Sequence, residues 1–308
     1  MIGDQVSYRG NIHTHTAESD GDAEPEKVVE WYNNHGYDFL VLSDHNHLTI
    51  LEYGVGQNEA PGLLMVPGEE ITLRTDSENI PVHLGAVGIS RYVEPVDAGD
   101  VPMTMQANID AVLDAGGIAC INHPCWEWAF NHDEILKTRG ASMMEIFNGT
   151  LGSNNYPVPT PDLYSPTEIW DNVLTAGVPL FGVASDDSHH YHDFAPEKEN
   201  PGRGWVMVEA EALDSEAVVE AMALGNFYSS TGLYLDHLKS TPDEIVVEFR
   251  SQRHLIMVTQ FIGKDGFVYQ ETVGDRASYR PTGDEGYVRA AIRSSDGTQV
   301  WTQPVFLE

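Results

Sequence analysis

The chain has 308 residues, 41% of them hydrophobic. That is enough for one large domain and a small one, and no apolar run reaches membrane-spanning length. Forty-eight acidic residues against 16 basic ones give a net charge of −32, a surface that repels nucleic-acid phosphates and argues against nucleic-acid binding. The excess is spread along the chain, as on a surface adapted to high salt, where screening makes self-repulsion tolerable. It predicts a halophilic protein that melts at higher temperature in molar KCl than in dilute buffer; equal melting temperatures would contradict it. Two cysteines, Cys120 and Cys125, make no disulfide framework, and Met1-Ile2-Gly3-Asp4-Gln5 has neither the basic nor the apolar part of a leader, so a cytoplasmic location is expected.

Residues 5–12 read as a strand running into His13 and His15, followed by the polar loop Glu18-Ser19-Asp20-Gly21-Asp22. Residues 25–35 read as a helix, with Pro25 in its first turn and Gly36 as its stop. Strands are expected over 37–42, leading into Asp44 and His45, over 63–66, leading into Glu69 and Glu70, and over 82–87, which contains His83. A helix over 104–115 is closed by Gly116-Gly117, and the strand 117–121 ends in Asn122-His123-Pro124. Then come a strand over 143–147, a helix over 166–176, the strand 179–184 ending in Ser185-Asp186-Asp187-Ser188-His189, a strand over 204–208 and a helix over 215–224.

Strand and helix alternate, which predicts a mostly parallel sheet, and the polar residues sit at strand C-termini. A closed α/β barrel builds its active site there, whereas an open doubly wound sheet would gather its residues at one switch point. From residue 236 short strands separated by turns follow, with hairpin-type pairs Asp265-Gly266 and Asp296-Gly297. The division is therefore an α/β barrel region over 1–235 and a small antiparallel β domain over 236–308 with a packing or lid role.

On a strand, residues i and i+2 face the same side, so His13 and His15 aim both imidazoles at one point. A lone His-x-His is weak. The pattern gains weight because later apolar runs also end in, or contain, a histidine or carboxylate. The candidate ligands are His13, His15, Asp20, His45, Glu70, His83, His123, Asp187 and His189. Singly, each has an ordinary structural explanation: His83 as a hydrogen-bonded core residue, Glu70 as a surface acid, His123 as a strand cap. Together at one barrel mouth they would repel or go unsatisfied without metal. Nine ligands are too many for one ion and suit two or three transition metals, with a carboxylate bridging a pair.

These segments carry a resemblance. His13-Thr14-His15, Ser19-Asp20-Gly21, Ser43-Asp44-His45-Asn46, Pro67-Gly68-Glu69-Glu70-Ile71, the His83 strand, Asn122-His123-Pro124 and Asp187-Ser188-His189 resemble the PHP (polymerase and histidinol phosphatase) family. The Met-Glu-Ile-Phe-Asn-Gly stretch at 144–149 and the tail near Trp301-Thr302-Gln303-Pro304 are similar to its CehA/McbA-type metallohydrolase branch. The resemblance implies a distorted (β/α)7 TIM-like barrel with a trinuclear site of Zn, Mn or Fe. It implies that His13, His15 and Asp187 hold one metal, that Glu70 bridges it to a second, and that Asp20, His45 and His189, with His83 and His123, complete the set. Asp186 competes with Asp187 for the ligand role if the strand bulges.

The activity expected is hydrolysis of a small-molecule phosphate ester by a metal-bridging hydroxide, with Glu70 and His189 in the catalytic set and Arg203 holding the phosphate. Carboxylic or carbamate ester hydrolysis at the same centre is the alternative, with Cys125-Trp126-Glu127-Trp128 either shaping a pocket for an aryl substrate or packing a loop. A non-catalytic, metal-stabilised binding protein is the third reading. An amidohydrolase commonly bridges its metals with a carboxylated lysine, but Lys27, Lys137 and Lys198, the lysines before residue 236, end no expected strand. Cys120 and Cys125 flank His123 and raise the question of thiolate ligands.

Overall fold

The computed structural model describes residues 6–51, 62–160, 162–249 and 254–307. The first strand, Val6–Asn11 (β1), leads to the helix Pro25–Asn34 (α1), which starts on Pro25 and ends before Gly36 at φ 74°. The apolar stretch after it pairs only over Phe39–Leu40 (β2), and Leu64–Met65 (β3) follows. Gly10 makes the close approach of β2 to β1 feasible, since a Cβ there would sit 2.1 Å from the Phe39 ring.

Gly68–Arg74 (β4) and Pro81–Val87 (β5) come next. The helix Val101–Asp114 (α2) begins earlier than expected because the Asp100 carboxylate accepts from the Met103 amide at 2.8 Å and caps it. Ile118–Ile121 (β6), the short helix His132–Ile135 (α3), Met143–Asn148 (β7), Pro166–Thr175 (α4) and Phe181–Ser185 (β8) continue the chain. A capping box of Ser165 and Glu168 starts α4. Trp205–Ala210 (β9), Ser215–Ala223 (α5) and Phe227–Ser230 (β10) follow. The C-terminal strands are Leu235–Thr241 (β11), Glu244–Phe249 (β12), Met257–Gly263 (β13), Phe267–Val273 (β14), Arg276–Tyr279 (β15), Tyr287–Ser294 (β16), Gln299–Thr302 (β17) and Val305–Phe306 (β18).

The expected mixed α/β character holds, and among the described residues the strands form open sheets with no continuous closed barrel. Among the described residues they make a five-stranded sheet, β4-β5-β6-β7-β8, and a ten-stranded one, β14-β13-β16-β17-β10-β9-β1-β2-β3 with β18 on β16. A third, three-stranded sheet is β11-β12-β15. The expected parallel order holds for β1 with β2, β2 with β3, β6 with β7 and β7 with β8, but β4 with β5, β5 with β6 and β1 with β9 are antiparallel. Residues 75–80 explain part of this: a parallel return needs a crossover of about a dozen residues or more, so so short a link turns β5 back along β4. The two large sheets meet at two isolated parallel bridges, Thr14 just beyond β1 with Ser188 beyond β8, and His45 beyond β2 with Glu70 in β4, so that both edge strands of the five-stranded sheet are joined to the continuations of β1 and β2.

Both hairpin turns form. Asp265 and Gly266 adopt φ 62° and 67° between the antiparallel β13 and β14, and Gly297 adopts φ 92° between β16 and β17. Of the strands the sequence does not announce, β10, β15 and β18 are short and β11, with Asp236, His237 and Lys239, has little apolar alternation to reveal it, while β4 lies where the sequence suggested only the end of the 63–66 strand. Ile12, Phe39, Val41 and Val206 from one sheet and Val87, Cys120, Met143 and Val183 from the other bury their side chains in one cluster. A polar tie joins α4 to β16: Arg289, 2% exposed, donates to both Asp171 oxygens at 2.8 and 2.7 Å, and the Tyr287 hydroxyl adds a third bond at 2.7 Å. Among the described residues no helix is long and apolar enough to cross a membrane.

Candidate metal centre

His13 and His15 extend the chain beyond the last residue of β1, and Thr14 between them meets Ser188, which lies between Asp187 and His189. The Thr14 and Ser188 hydroxyls are 2.6 Å apart, and the Tyr191 hydroxyl bonds to both. Tyr32 joins the same buried group at 3.0 Å from Ser188. The middle residue of each triplet thus faces a hydroxyl cluster, which leaves the flanking residues to face the other side together. The backbone seals the junction: the Asp187 amide donates to the His13 carbonyl and the His15 amide to the Ser188 carbonyl, both at 2.9 Å.

Glu70, fully buried, sits at the middle of the cluster. Its Oε1 lies 3.1 Å from His123 Nε2, 3.3 Å from His13 Nε2 and 3.3 Å from His83 Nδ1. Its Oε2 lies 2.8 Å from His45 Nδ1 and 3.8 Å from His15 Nε2. Asp187 Oδ1 lies 3.1 Å from His15 Nε2 and 3.2 Å from His13 Nε2. Asp20, at the mouth, is 3.4 Å from His45 Nε2 and 3.4 Å from His189 Nε2. The structure therefore brings all nine expected residues together. Three overlapping sets have ligand atoms mutually within 4.8 Å: His15, Asp20, His45 and His189; His13, Glu70 and His123; His13, His15 and Asp187. His83 stands outside these sets, against Glu70.

The donors suit a borderline cation such as Zn, Mn or Fe, with imidazole nitrogen and carboxylate oxygen in mixed sets. The stronger sign of fit is polar atoms without partners. His13 Nε2, His15 Nδ1 and His83 Nδ1 are buried and make no hydrogen bond, an arrangement that costs stability unless something else satisfies them. Burial alone would raise the Glu70 and Asp187 carboxyls, but the surrounding imidazoles hold both well below their ordinary range. Burial, helped by His189 and His45, pushes His15 down to about 4, which keeps its lone pair available. Burial opposes charge on His13 too, yet Asp187, Glu145 and Glu70 raise it well above its ordinary value, so a bound cation would displace its proton. Two residues here have left-handed backbones, His123 at φ 22° and Asp187 at φ 47°. Such conformations cost on the order of 1–3 kcal/mol each and gather at functional sites.

A second layer fixes these side chains, and the sequence reading assigned none of it. Glu145 accepts from His13 Nδ1 at 2.7 Å, from the His123 amide at 2.8 Å and from Asn148 Nδ2 at 2.9 Å, and the Ser185 hydroxyl bonds to it as well. Asn148 reaches Asp187 Oδ2 at 3.0 Å, and Asn122 reaches Glu70 Oε1 at 2.9 Å. The available signal was a lone carboxylate in the otherwise apolar run Met143-Met144-Glu145-Ile146-Phe147. Glu145→Gln should weaken metal affinity by about 10–100-fold, because His13 loses the partner that orients its ring. A metal titration of the variant that matches wild type would contradict this.

Two residues considered for the site lie apart from the cluster, Arg203 and the alternative ligand Asp186. Arg203 does not line the cavity: its guanidinium donates to the backbone carbonyls of Gly149 at 2.8 Å and of Lys198, bracing the loop before β9. In this position the guanidinium is occupied by backbone acceptors and not turned to the cavity, where the expected phosphate-holding role would place it. Asp186 is likewise committed elsewhere, accepting from the amides of Gly202, Arg203 and Gly204 at 2.9, 2.6 and 2.8 Å and from the Tyr32 hydroxyl at 2.8 Å. Asp187 alone of the pair faces the cluster. The cysteines are no thiolates: burial raises Cys120 well above its ordinary value and Cys125 up to about 12, and Cys125 donates to the Tyr164 carbonyl at 3.1 Å.

The cluster floors a cavity of about 700 Å³. Trp126 lies on its wall, 5.1 Å from the His83 ring and 5.7 Å from His123, while Trp128 packs against the core. The arginine lining it is Arg74, which shares β4 with Glu70 and Thr72 at alternate positions.

No protein-family model matches the sequence, and no curated protein does. Solved structures do. A two-domain protein from Bacteroides vulgatus containing a predicted PHP-like metal-dependent phosphoesterase is 15% identical, with 93% of this chain and 90% of that one covered at a TM-score of 0.54. A protein from Bifidobacterium adolescentis proposed as a metal-dependent phosphoesterase is 17% identical, covering 69% and 95% at a TM-score of 0.41. An amidohydrolase from Chromobacterium violaceum, solved with sulfate and no metal, is 14% identical, covering 62% and 93% at 0.39. The first likeness, over nearly the whole of both chains, shows that this protein shares the mixed α/β fold of that structure.

Proposed function

We propose that the protein is a metal-dependent phosphoesterase of the PHP family, of the CehA/McbA type, hydrolysing a small-molecule phosphate ester at a di- or trinuclear centre. The observation that carries the reading is the convergence of His13, His15, Asp20, His45, Glu70, His123, Asp187 and His189 into three overlapping ligand sets, with six of the eight, all but His13 and His15, lining one cavity. When bound, divalent Zn, Mn or Fe supplies Lewis-acid polarisation of the ester and lowers the pKa of a water. His13 and His15 each belong to two of the sets and would be shared, and Glu70, in one set with His13 and His123, reaches the ring nitrogen of His45 in another at 2.8 Å. Glu145, Asn148 and Asn122 hold the ligands in place before substrate arrives, so little reorganisation is needed. His189 has Nδ1 held by the Asp187 carbonyl at 3.0 Å, which fixes its ring with Nε2 toward Asp20 at the mouth.

A second reading, carboxylic ester hydrolysis, is favoured by one feature: the Trp126 ring beside His83 and His123 offers an apolar wall to an aryl group. Metal-loaded protein assayed in parallel on p-nitrophenyl phosphate and p-nitrophenyl acetate separates the two. Metal-dependent phosphate release is expected; turnover of the acetate alone would replace the phosphoesterase reading with the second one.

A further inference from the structure

Arg74, Trp126 and Glu127 form a group at the rim that the metal chemistry does not use. The Arg74 guanidinium lies 5.5 Å from the Trp126 ring, and its Nη2 bonds to Glu127 Oε1 at 2.6 Å. Its Nη1 rests on the Asn79 carbonyl at 3.0 Å. Both members of the ion pair are wet, with side chains 35% and 47% exposed, so the pair contributes little stability and exchanges readily. The backbone nevertheless maintains it at a cost: Glu127 and Trp128 are consecutive non-glycine residues at φ 53° and 54°. Strain of that kind is retained where a side chain must be presented.

Arg74 is four positions beyond Glu70 on β4, so their Cα atoms are about 13 Å apart at roughly 3.3 Å per residue. The guanidinium therefore serves a part of the substrate displaced from the ester bond at the metal floor. We propose that Arg74 recognises a second anionic group, a carboxylate or phosphate, on the leaving portion of the substrate, and that Glu127 holds the guanidinium at the rim until that group replaces it. This rests on the phosphoester reading of the metal centre. The fork of the guanidinium suits a two-oxygen acceptor, and Trp126 supplies a face for whatever links the two anions.

Phenylphosphonate and 4-carboxyphenylphosphonate, which bind without turnover, test the assignment by calorimetry on metal-loaded protein. Wild type should bind the carboxylated compound about tenfold or more tighter, the size expected of a charge-assisted pair. Arg74→Ala should erase that preference and leave phenylphosphonate affinity unchanged. Glu127→Gln, which releases the guanidinium, should tighten the carboxylated compound alone, and 1,4-phenylenediphosphonate, which also has no ester bond to cleave, separates the two acceptor types. Equal affinities in wild type, or an Arg74→Ala loss shared by both compounds, would overturn the assignment while leaving the metal centre intact. No binding of any phosphonate by metal-loaded wild type would instead overturn the phosphoester reading, and the assignment with it.

Discussion

Glu70→Gln is expected to lower kcat/KM on a phosphoester by about 10²–10³-fold, the rate equivalent of roughly 3–4 kcal/mol. The reason is position. Glu70 is fully buried, and its two oxygens lie within 3.3 Å of ring nitrogens of His13, His45, His83 and His123. The amide keeps the shape but loses the charge, and it places an NH₂ where a cation should sit. Metal stoichiometry should fall together with activity. A variant that kept its full metal content and lost less than tenfold in kcat/KM would show that Glu70 is not shared between sites.

The largest effect on stability is expected far from the metals. Asp171→Ala should destabilise the fold by about 3–5 kcal/mol, the usual cost of stranding a buried charge. Arg289 is 2% exposed, and its bidentate partner is Asp171. Its Nη1 already has no hydrogen-bond partner, so nothing nearby takes over when the carboxylate is removed. The Tyr287 hydroxyl loses its acceptor in the same step. Urea denaturation reads this out. The pair Asp171→Leu with Arg289→Met serves as the control and should recover most of the loss, since apolar replacement of a buried ion pair is often neutral. A single variant within 1 kcal/mol of wild type would mean that the tie between α4 and β16 is not stabilising.

The convergence of the candidate ligands was legible because it depends on short-range rules. His13 and His15 are two residues apart, Asp187 and His189 likewise, and each pair follows an apolar strand. The sheet order depends on connections instead. The brief 75–80 link was a readable sign that β4 and β5 run antiparallel; the pairing of β1 with β9 has no local signal. The choice between Asp186 and Asp187 turned on a left-handed residue and on three amides from residues 202–204, contacts that no spacing encodes. Arginine placement divides in the same way. Arg203 lies next to a strand end but is absorbed by carbonyls, whereas Arg74 could have been found by continuing the two-residue alternation from Glu70 through Thr72.

The central claim is a multinuclear metal centre, and metal content tests it most directly. Protein purified at high salt without chelator should carry two to three equivalents of Zn, Mn or Fe by inductively coupled plasma mass spectrometry. Less than one equivalent, persisting after reconstitution with each metal, would contradict it.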